Sequence, residues 1–268
     1  MVPQGCCMFP FTTLVSCPRS RAGEWNFRLF GVPVHVKFWF WLSLLLIGAS
    51  DDMVAVLIWL AVCFVSILIH ELGHVLVFRM FGEDAEVVLY AWGGLAVPRR
   101  GIRGTLAQFV VSLAGPLAGF GAAGLTLGVA RWSGATLHLG HHMFIPMLTA
   151  VPALSHGFES HPQTYLYWSI LLNDLLFVNF YWGLVNLLPV YPLDGGQATR
   201  AVIEQYDPRF GRRRSLLLSA IVAAAVALLG IANHNLYMLV MFGILAAASV
   251  QAFDEQPRPI VPRPSGSW

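Results

Sequence analysis

The segment SILIHELGHVLVFRM, residues 66–80, places two histidines and a glutamate inside an otherwise apolar run. On a helix, residues four apart lie one turn above each other, so His70 and His74 present their imidazoles to one point, with Glu71 beside them. Neutral imidazole is a preferred ligand of zinc, and a catalytic zinc uses three protein ligands and leaves one position for water. Glu71 would then take a proton from that water as it attacks a carbonyl group. The spacing therefore predicts a hydrolytic zinc centre.

The HExxH pattern alone also arises by chance on soluble helices, where its side chains are simply solvated. Here the pattern lies within an apolar span. A charged side chain deep in a span costs at least ~2.5–3.5 kcal/mol even on permissive insertion scales, and intramembrane ionisable groups tend to be paired and functional. The location therefore favours metal binding.

A third ligand has to come from elsewhere in the chain, and the candidates are Asp174, Asp194 and Glu86. Asp194 lies in NLLPVYPLDGGQ, where two prolines break the fourth apolar run and two glycines permit a tight turn. Irregular backbone at membrane depth is tolerated where it is buried in protein or lines a wet cavity, as at a metal site. An ordinary helix-ending turn would also explain LDGG, but beside HELGH the segment favours coordination by Asp194. Asp174 lies about five turns away, toward the opposite face.

The composition indicates an integral membrane protein, because 57% of the residues are hydrophobic and only 11% are charged. The net charge of +2 and the scattered basic residues argue against a nucleic-acid partner. A helix needs roughly 20 apolar residues to cross the hydrocarbon core of a bilayer. Six runs are close to that length or exceed it: 34–50, 53–81, 106–130, 166–190, 216–232 and 236–253.

The basic residues predict how these six runs cross the membrane. Of the 16 Lys and Arg residues, all but Arg131 fall on the side that carries both termini. Cytoplasmic segments are enriched in Lys and Arg, so both termini are predicted to be cytoplasmic. A multi-pass protein of a bacterial cytoplasmic membrane is the localisation we expect.

Two cytoplasmic connections have the patterns of β-strands. FGVPVHVKF, residues 30–38, alternates apolar residues with other types, which is typical of a short interfacial strand. EVVLYAWGGLAVP, residues 86–98, has β-branched and aromatic residues on either side of two glycines and predicts a hairpin. The predicted fold class is therefore an α-helical membrane protein with about six transmembrane helices and short interfacial β-strands.

The predicted organisation has a flexible N-terminal tail at 1–27, one membrane-embedded domain with the zinc centre at 28–253, and a C-terminal tail at 254–268. Five of the nine histidines fall in the 131–165 connection, which is predicted to be an irregular polar loop on the other face. An alternative to a simple polar loop is that these histidines bind metal ions or sense pH.

Three motifs together resemble the site-2 protease family of intramembrane zinc metalloproteases. They are HELGH at 70–74, GPLAG at 115–119 and NLLPVYPLDGG at 186–196, and they occur in the order found in that family. The resemblance is closest to a compact six-span branch. Many relatives carry a PDZ or a CBS domain, and neither is expected in this chain. Many relatives have Asn where this chain has Gly119, and a GxxxG pattern also lets helices approach closely.

The resemblance implies one zinc ion bound by His70, His74 and Asp194, with Glu71 as the catalytic base. It also implies that Asn186 helps to hold the scissile carbonyl or its oxyanion. The implied activity is hydrolysis of peptide bonds in the transmembrane segments of single-span membrane proteins, within the lipid bilayer. The sequence names neither the substrate nor an oligomeric state.

Two other functions remain compatible with the sequence. An inactive scaffold could bind transmembrane helices, although such a protein has no use for a buried Glu71 between two histidines. A metal transporter needs a polar path across the whole membrane, whereas the predicted ligands cluster at one end. Asp174 and the histidine-rich connection are the features compatible with a transporter function.

Overall fold

The computed structural model describes residues 24–91, 93–102, 104–142, 145–151 and 162–256. Most of the two predicted tails therefore lies outside the described residues, as do His156 and His161 of the histidine-rich connection. The described residues fall into two compact units, 24–187 and 188–256.

The first unit contains a four-stranded sheet. Its strands are β1 (Glu24–Leu29), β2 (Val32–Lys37), β3 (Ala85–Tyr90) and β4 (Gly93–Pro98), in the spatial order β1-β2-β3-β4. β2 pairs antiparallel with β1 and parallel with β3, and β3 pairs antiparallel with β4. Successive side chains of a strand point to opposite faces, and the alternating valines 32, 34 and 36 are all buried in the core.

Two helices of the first unit lie between β2 and β3 along the chain, and the others follow β4. In chain order, the helical segments are α1 (Phe38–Ile47), α2 (Met53–Met80), α3 (Thr105–Trp132), α4 (Pro162–Leu176), a π-helical turn (Phe177–Tyr181) and α5 (Trp182–Asn186). The Asp52 carboxylate caps α2 by accepting hydrogen bonds from the N–H groups of Val54 at 2.8 Å and Ala55 at 3.3 Å.

The parallel pairing of β2 and β3 places the end of α2 beside the sheet. β2 leads directly into α1, and β3 follows α2 after a short connection. Because the two strands run in the same direction side by side, α1 leads away from the end of β2 and α2 leads back to the start of β3. The last turns of α2, which carry HELGH, therefore lie next to the sheet.

The second unit consists of three helices, α6 (Asp194–Tyr206), α7 (Gly211–Ala232) and α8 (Leu236–Asp254). A three-residue turn joins α7 to α8, and its last residue, Asn235, caps α8 by accepting a hydrogen bond from the N–H of Met238 at 2.9 Å. A Cβ atom at Gly230 would lie 2.7 Å from the backbone nitrogen of Leu239, so glycine is needed where the two helices meet.

Within the described residues, five helices are long and apolar enough to cross a membrane. They are Met53–Met80, Thr105–Trp132, Gln163–Asn186, Gly211–Ala232 and Leu236–Asp254. Each corresponds to one of the six predicted runs.

The first predicted run, 34–50, differs from the other five. β2 extends to Lys37, and α1 has only 10 residues. A helix of this length is about 15 Å long, half the thickness of the hydrocarbon core. The apolar run is divided because its alternating first part pairs with β1 and β3. The count of six spans therefore stays a prediction.

The connection at 131–165 also differs from the irregular loop that we predicted. Strands β5 (Thr136–His142) and β6 (Ile145–Val151) pair antiparallel within it. The Asn173 side chain of α4 accepts a hydrogen bond from the Ala150 N–H at 3.0 Å and donates one to its carbonyl at 2.9 Å. This polar residue of a span therefore anchors the β5–β6 hairpin.

Candidate metal centre

The two histidines of α2 lie side by side, as their spacing predicts. The Nε2 atoms of His70 and His74 are 3.3 Å apart. Two nitrogens that bind one tetrahedral zinc ion at about 2.0–2.1 Å are roughly 3.3–3.4 Å apart. The observed separation therefore fits two ligands of the same metal ion.

His74 is held in the orientation that a zinc ligand requires. Its Nδ1 atom lies 2.7 Å from the carbonyl oxygen of Val111 on α3. A carbonyl can only accept, so in the neutral imidazole Nδ1 carries the proton and Nε2 keeps a lone pair. Metal-binding histidines commonly donate their other ring N–H in this way, which fixes the tautomer and the direction of the ring.

Gly115 of α3 leaves space in front of the two imidazoles. A Cβ atom at this position would lie 2.6 Å from Nε2 of His70 and would overlap Nε2 of His74. The first glycine of the GPLAG motif therefore keeps both nitrogens accessible. Gly73, one residue before His74, instead lets α2 approach α3 closely, because a Cβ atom there would lie 2.6 Å from the Ala114 carbonyl oxygen.

Glu71 is buried between α2 and the edge strand of the sheet, with 5% of its surface exposed. Gly94 of β4 lies directly against its side chain, so a Cβ atom at Gly94 would overlap the carboxylate. A buried carboxylate next to two imidazoles is suited to accept a proton, because hydrogen bonds and charges act more strongly away from water.

Asp194 is the first residue of α6 in the second unit and is partly buried. A Cβ atom at Gly196 would lie 2.5 Å from the Val190 carbonyl oxygen, so glycine lets the first turn of α6 lie against the preceding backbone. The Tyr191–Pro192 peptide bond is cis. Burial raises the pKa of the Tyr191 phenol above its ordinary value.

The other predicted residues lie on separate elements. Asn186 is the last residue of α5, and Asp174 lies on α4. The Glu86 carboxylate of β3 lies 3.8 Å from Nε2 of His35 on β2, so this alternative ligand faces another strand of the sheet. The roles of Asn186 and Asp194 stay predictions.

Sequence reasoning missed Val111, Gly94 and the positioning role of Gly115. The Val111 contact uses a backbone carbonyl, which every residue has, so no side-chain pattern could reveal it. Gly94 and Gly115 each belong to a sequence motif, which weakly indicates a structural role. The side chains that they contact, however, depend on which elements pack together. The π-helical turn has no sequence signature that we recognised.

Comparison with known proteins identifies the family. The model of Peptidase family M50 matches residues 58–230, which is more than half of the chain. A zinc metalloprotease of Methanocaldococcus jannaschii is 25% identical over 228 residues, covering 82% of this chain and 53% of the relative. A relative from Synechocystis is 27% identical over 226 residues, covering 79% of this chain and 52% of the relative. The chain therefore spans about half the length of these curated relatives.

A solved structure shows the same fold. The site-2 protease from Methanocaldococcus jannaschii superimposes with a TM-score of 0.52 at 20% identity, over 89% of this chain and 99% of that chain. The chain belongs to Peptidase family M50. This membership confirms the resemblance to site-2 proteases, and together with the apolar helices it makes the chain a multi-pass integral membrane protein.

Proposed function

We propose that this protein is an intramembrane zinc endopeptidase. The observation that carries the proposal is the pair of imidazole nitrogens 3.3 Å apart beside the buried carboxylate of Glu71. The M50 family match and the metalloprotease relative from Methanocaldococcus jannaschii support it. One zinc ion per chain would be bound by His70, His74 and Asp194. Asp194 is supported by its carboxylate chemistry and by its place in the LDGG motif.

A bound zinc ion would supply Lewis acidity, which polarises a carbonyl group and acidifies water at neutral pH. Glu71 would act as the general base, accept a proton from the attacking water and return it to the leaving amine. The Asn186 amide would donate a hydrogen bond to the scissile carbonyl oxygen as negative charge develops there. Val111 would keep His74 in its binding tautomer throughout.

The proposed substrate is the transmembrane helix of a single-span membrane protein. Its carbonyls are protected by helical hydrogen bonds, so the segment has to unwind before hydrolysis. The edge strands β1 and β4 offer backbone groups with which an unwound segment could pair. β4 is the better placed of the two, because its Gly94 contacts Glu71.

The proposed topology has six spans and cytoplasmic termini in a bacterial inner membrane. The arginine and lysine distribution supports it, since all 16 of these residues except Arg131 fall on one side of the six runs. The cleavage point is then expected near the cytoplasmic end of the substrate helix, because HELGH lies in the last turns of α2.

The first test measures zinc in the detergent-purified protein and needs no substrate. We expect about one zinc ion per chain in the wild type and little in His74→Ala, because the variant loses one of two paired imidazoles. His35→Ala is the matched control, since His35 lies on β2 with Asn26 and Glu86 as neighbours and should leave zinc bound. A folded wild type that binds no zinc when it is supplied would contradict the proposal and favour the inactive scaffold.

A further inference from the structure

The helix that contains α4 and α5 is interrupted by the π-helical turn Phe177–Tyr181. Such turns are rare in α-helices and occur frequently at functional sites. A π-turn changes the direction in which the following side chains point, relative to a continuous α-helix. In this protein, the turn buries Asn179, which has only 3% of its surface exposed.

Asn179 joins the π-helical turn to α2 through its side-chain amide. Its Nδ2 atom donates hydrogen bonds to Oγ of Ser66 at 2.8 Å and to the carbonyl oxygen of Leu175 at 2.9 Å. The second bond fixes the orientation of the amide, because the opposite orientation would place two oxygens against each other. Ser66 is also buried and lies one turn before His70 on α2.

The backbone of the same turn lies against α3. A Cβ atom at Gly119 would lie 3.1 Å from the carbonyl oxygen of Asn179, so glycine allows the turn to approach α3 closely. Three segments therefore meet at Asn179: α2 at Ser66, α3 at Gly119, and the turn itself.

Packing does not explain an asparagine at this position. The Oδ1 atom of Asn179 is buried and accepts no hydrogen bond within the described part of the chain. A buried polar atom without a partner costs about 1–3 kcal/mol, and leucine, of similar size, would avoid that cost. The useful part of the residue is therefore its donor, Nδ2, and the bond that this donor makes to Ser66.

We propose that Asn179 is a positioning residue for the metal centre. It holds the turn of α2 that precedes His70, as the Val111 carbonyl holds His74 from α3. Two hydrogen bonds from two different segments then fix the part of α2 that carries both imidazoles. The inference rests on the proposed zinc site and adds a residue that touches neither metal nor substrate.

The test compares Asn179→Leu with Asn173→Leu. Both variants replace an asparagine of the same span, but Asn173 anchors the β5–β6 hairpin through Ala150 instead of α2. Zinc affinity is measured by competition with a chelating dye, and thermal unfolding is followed in the same detergent. We expect about tenfold weaker zinc binding in Asn179→Leu, at the lower end of the effect of residues that orient ligands. Asn173→Leu should bind zinc as the wild type does.

Two further measurements separate positioning from a general loss of stability. The visible absorption spectrum of the Co²⁺-substituted protein reports ligand geometry, and it should change in Asn179→Leu but not in Asn173→Leu. Ser66→Ala removes only the acceptor of the bond and should also weaken zinc binding. The double variant of Ser66 and Asn179 should bind zinc no more weakly than Asn179→Leu, because both changes remove one shared interaction.

Two results would overturn the inference while leaving the proposed function intact. One is a wild type that binds zinc together with an Asn179→Leu protein of equal affinity and unchanged Co²⁺ spectrum. The other is an equal loss of zinc affinity in the Asn173→Leu control. If Asn179→Leu does not fold, unchanged zinc affinity in Ser66→Ala has the same meaning. A folded wild type without zinc would instead overturn the proposed function, and this inference with it.

Discussion

Gly115→Ala is predicted to disrupt the candidate metal centre without replacing either histidine. The added Cβ would lie 2.6 Å from Nε2 of His70, whereas ordinary contacts of a Cβ atom begin near 3.4 Å. The imidazole or the backbone of α3 must therefore move by about 0.8 Å, beyond the ~0.5 Å within which a functional site has to be held. His74, which the Cβ would also overlap, has little freedom to move, because Val111 holds its other nitrogen.

We expect Gly115→Ala to weaken zinc binding by about 10–100-fold, the usual effect of disturbing the residues around a metal ligand. Overpacking should also lower the free energy of unfolding by about 1–3 kcal/mol. Zinc affinity is measured by competition with a chelating dye, and stability by thermal unfolding in detergent.

Gly121→Ala is the matched control for this prediction. Gly121 lies on the same helix, and a Cβ atom there would meet nothing within 4 Å. Alanine favours helix over glycine by about 1 kcal/mol, so this variant should bind zinc normally and unfold at the same temperature or higher. Wild-type zinc affinity in Gly115→Ala would refute the reasoning, since it would mean that the space in front of the imidazoles is not needed.

Three further predictions concern catalysis. Glu71→Gln should keep zinc bound and abolish cleavage of a transmembrane substrate, because the amide cannot accept the proton; cleavage by this variant would contradict the role of the base. Gly94→Ala should lower kcat while zinc stays bound, since its Cβ would overlap the Glu71 side chain, whereas Gly101→Ala, with open space around its Cβ, should be as active as the wild type. Removal of zinc by a chelator should stop cleavage, and added zinc should restore it; activity that persists in the metal-free protein would argue against a metalloprotease.

The sequence by itself determined the pairing of the two histidines and the helical character of the chain. The separation of His70 and His74 follows from helix geometry alone, so their meeting could be predicted before any fold was known. Long apolar runs need no tertiary information to be recognised, and five of them correspond to long helices. The ordered motifs were sufficient to predict the family, which the M50 match confirms.

The tertiary structure decided which groups surround that site and where the apolar runs end. The first apolar run, 34–50, is divided between β2 and α1. Its first part forms β2, because pairing with β1 and β3 competes with helix formation. The Val111 carbonyl, the close approaches of Gly94 and Gly115, and the bond between Asn179 and Ser66 all depend on which elements lie side by side. Local spacing fixes contacts within one helix, whereas contacts between helices and strands exist only once the chain has packed.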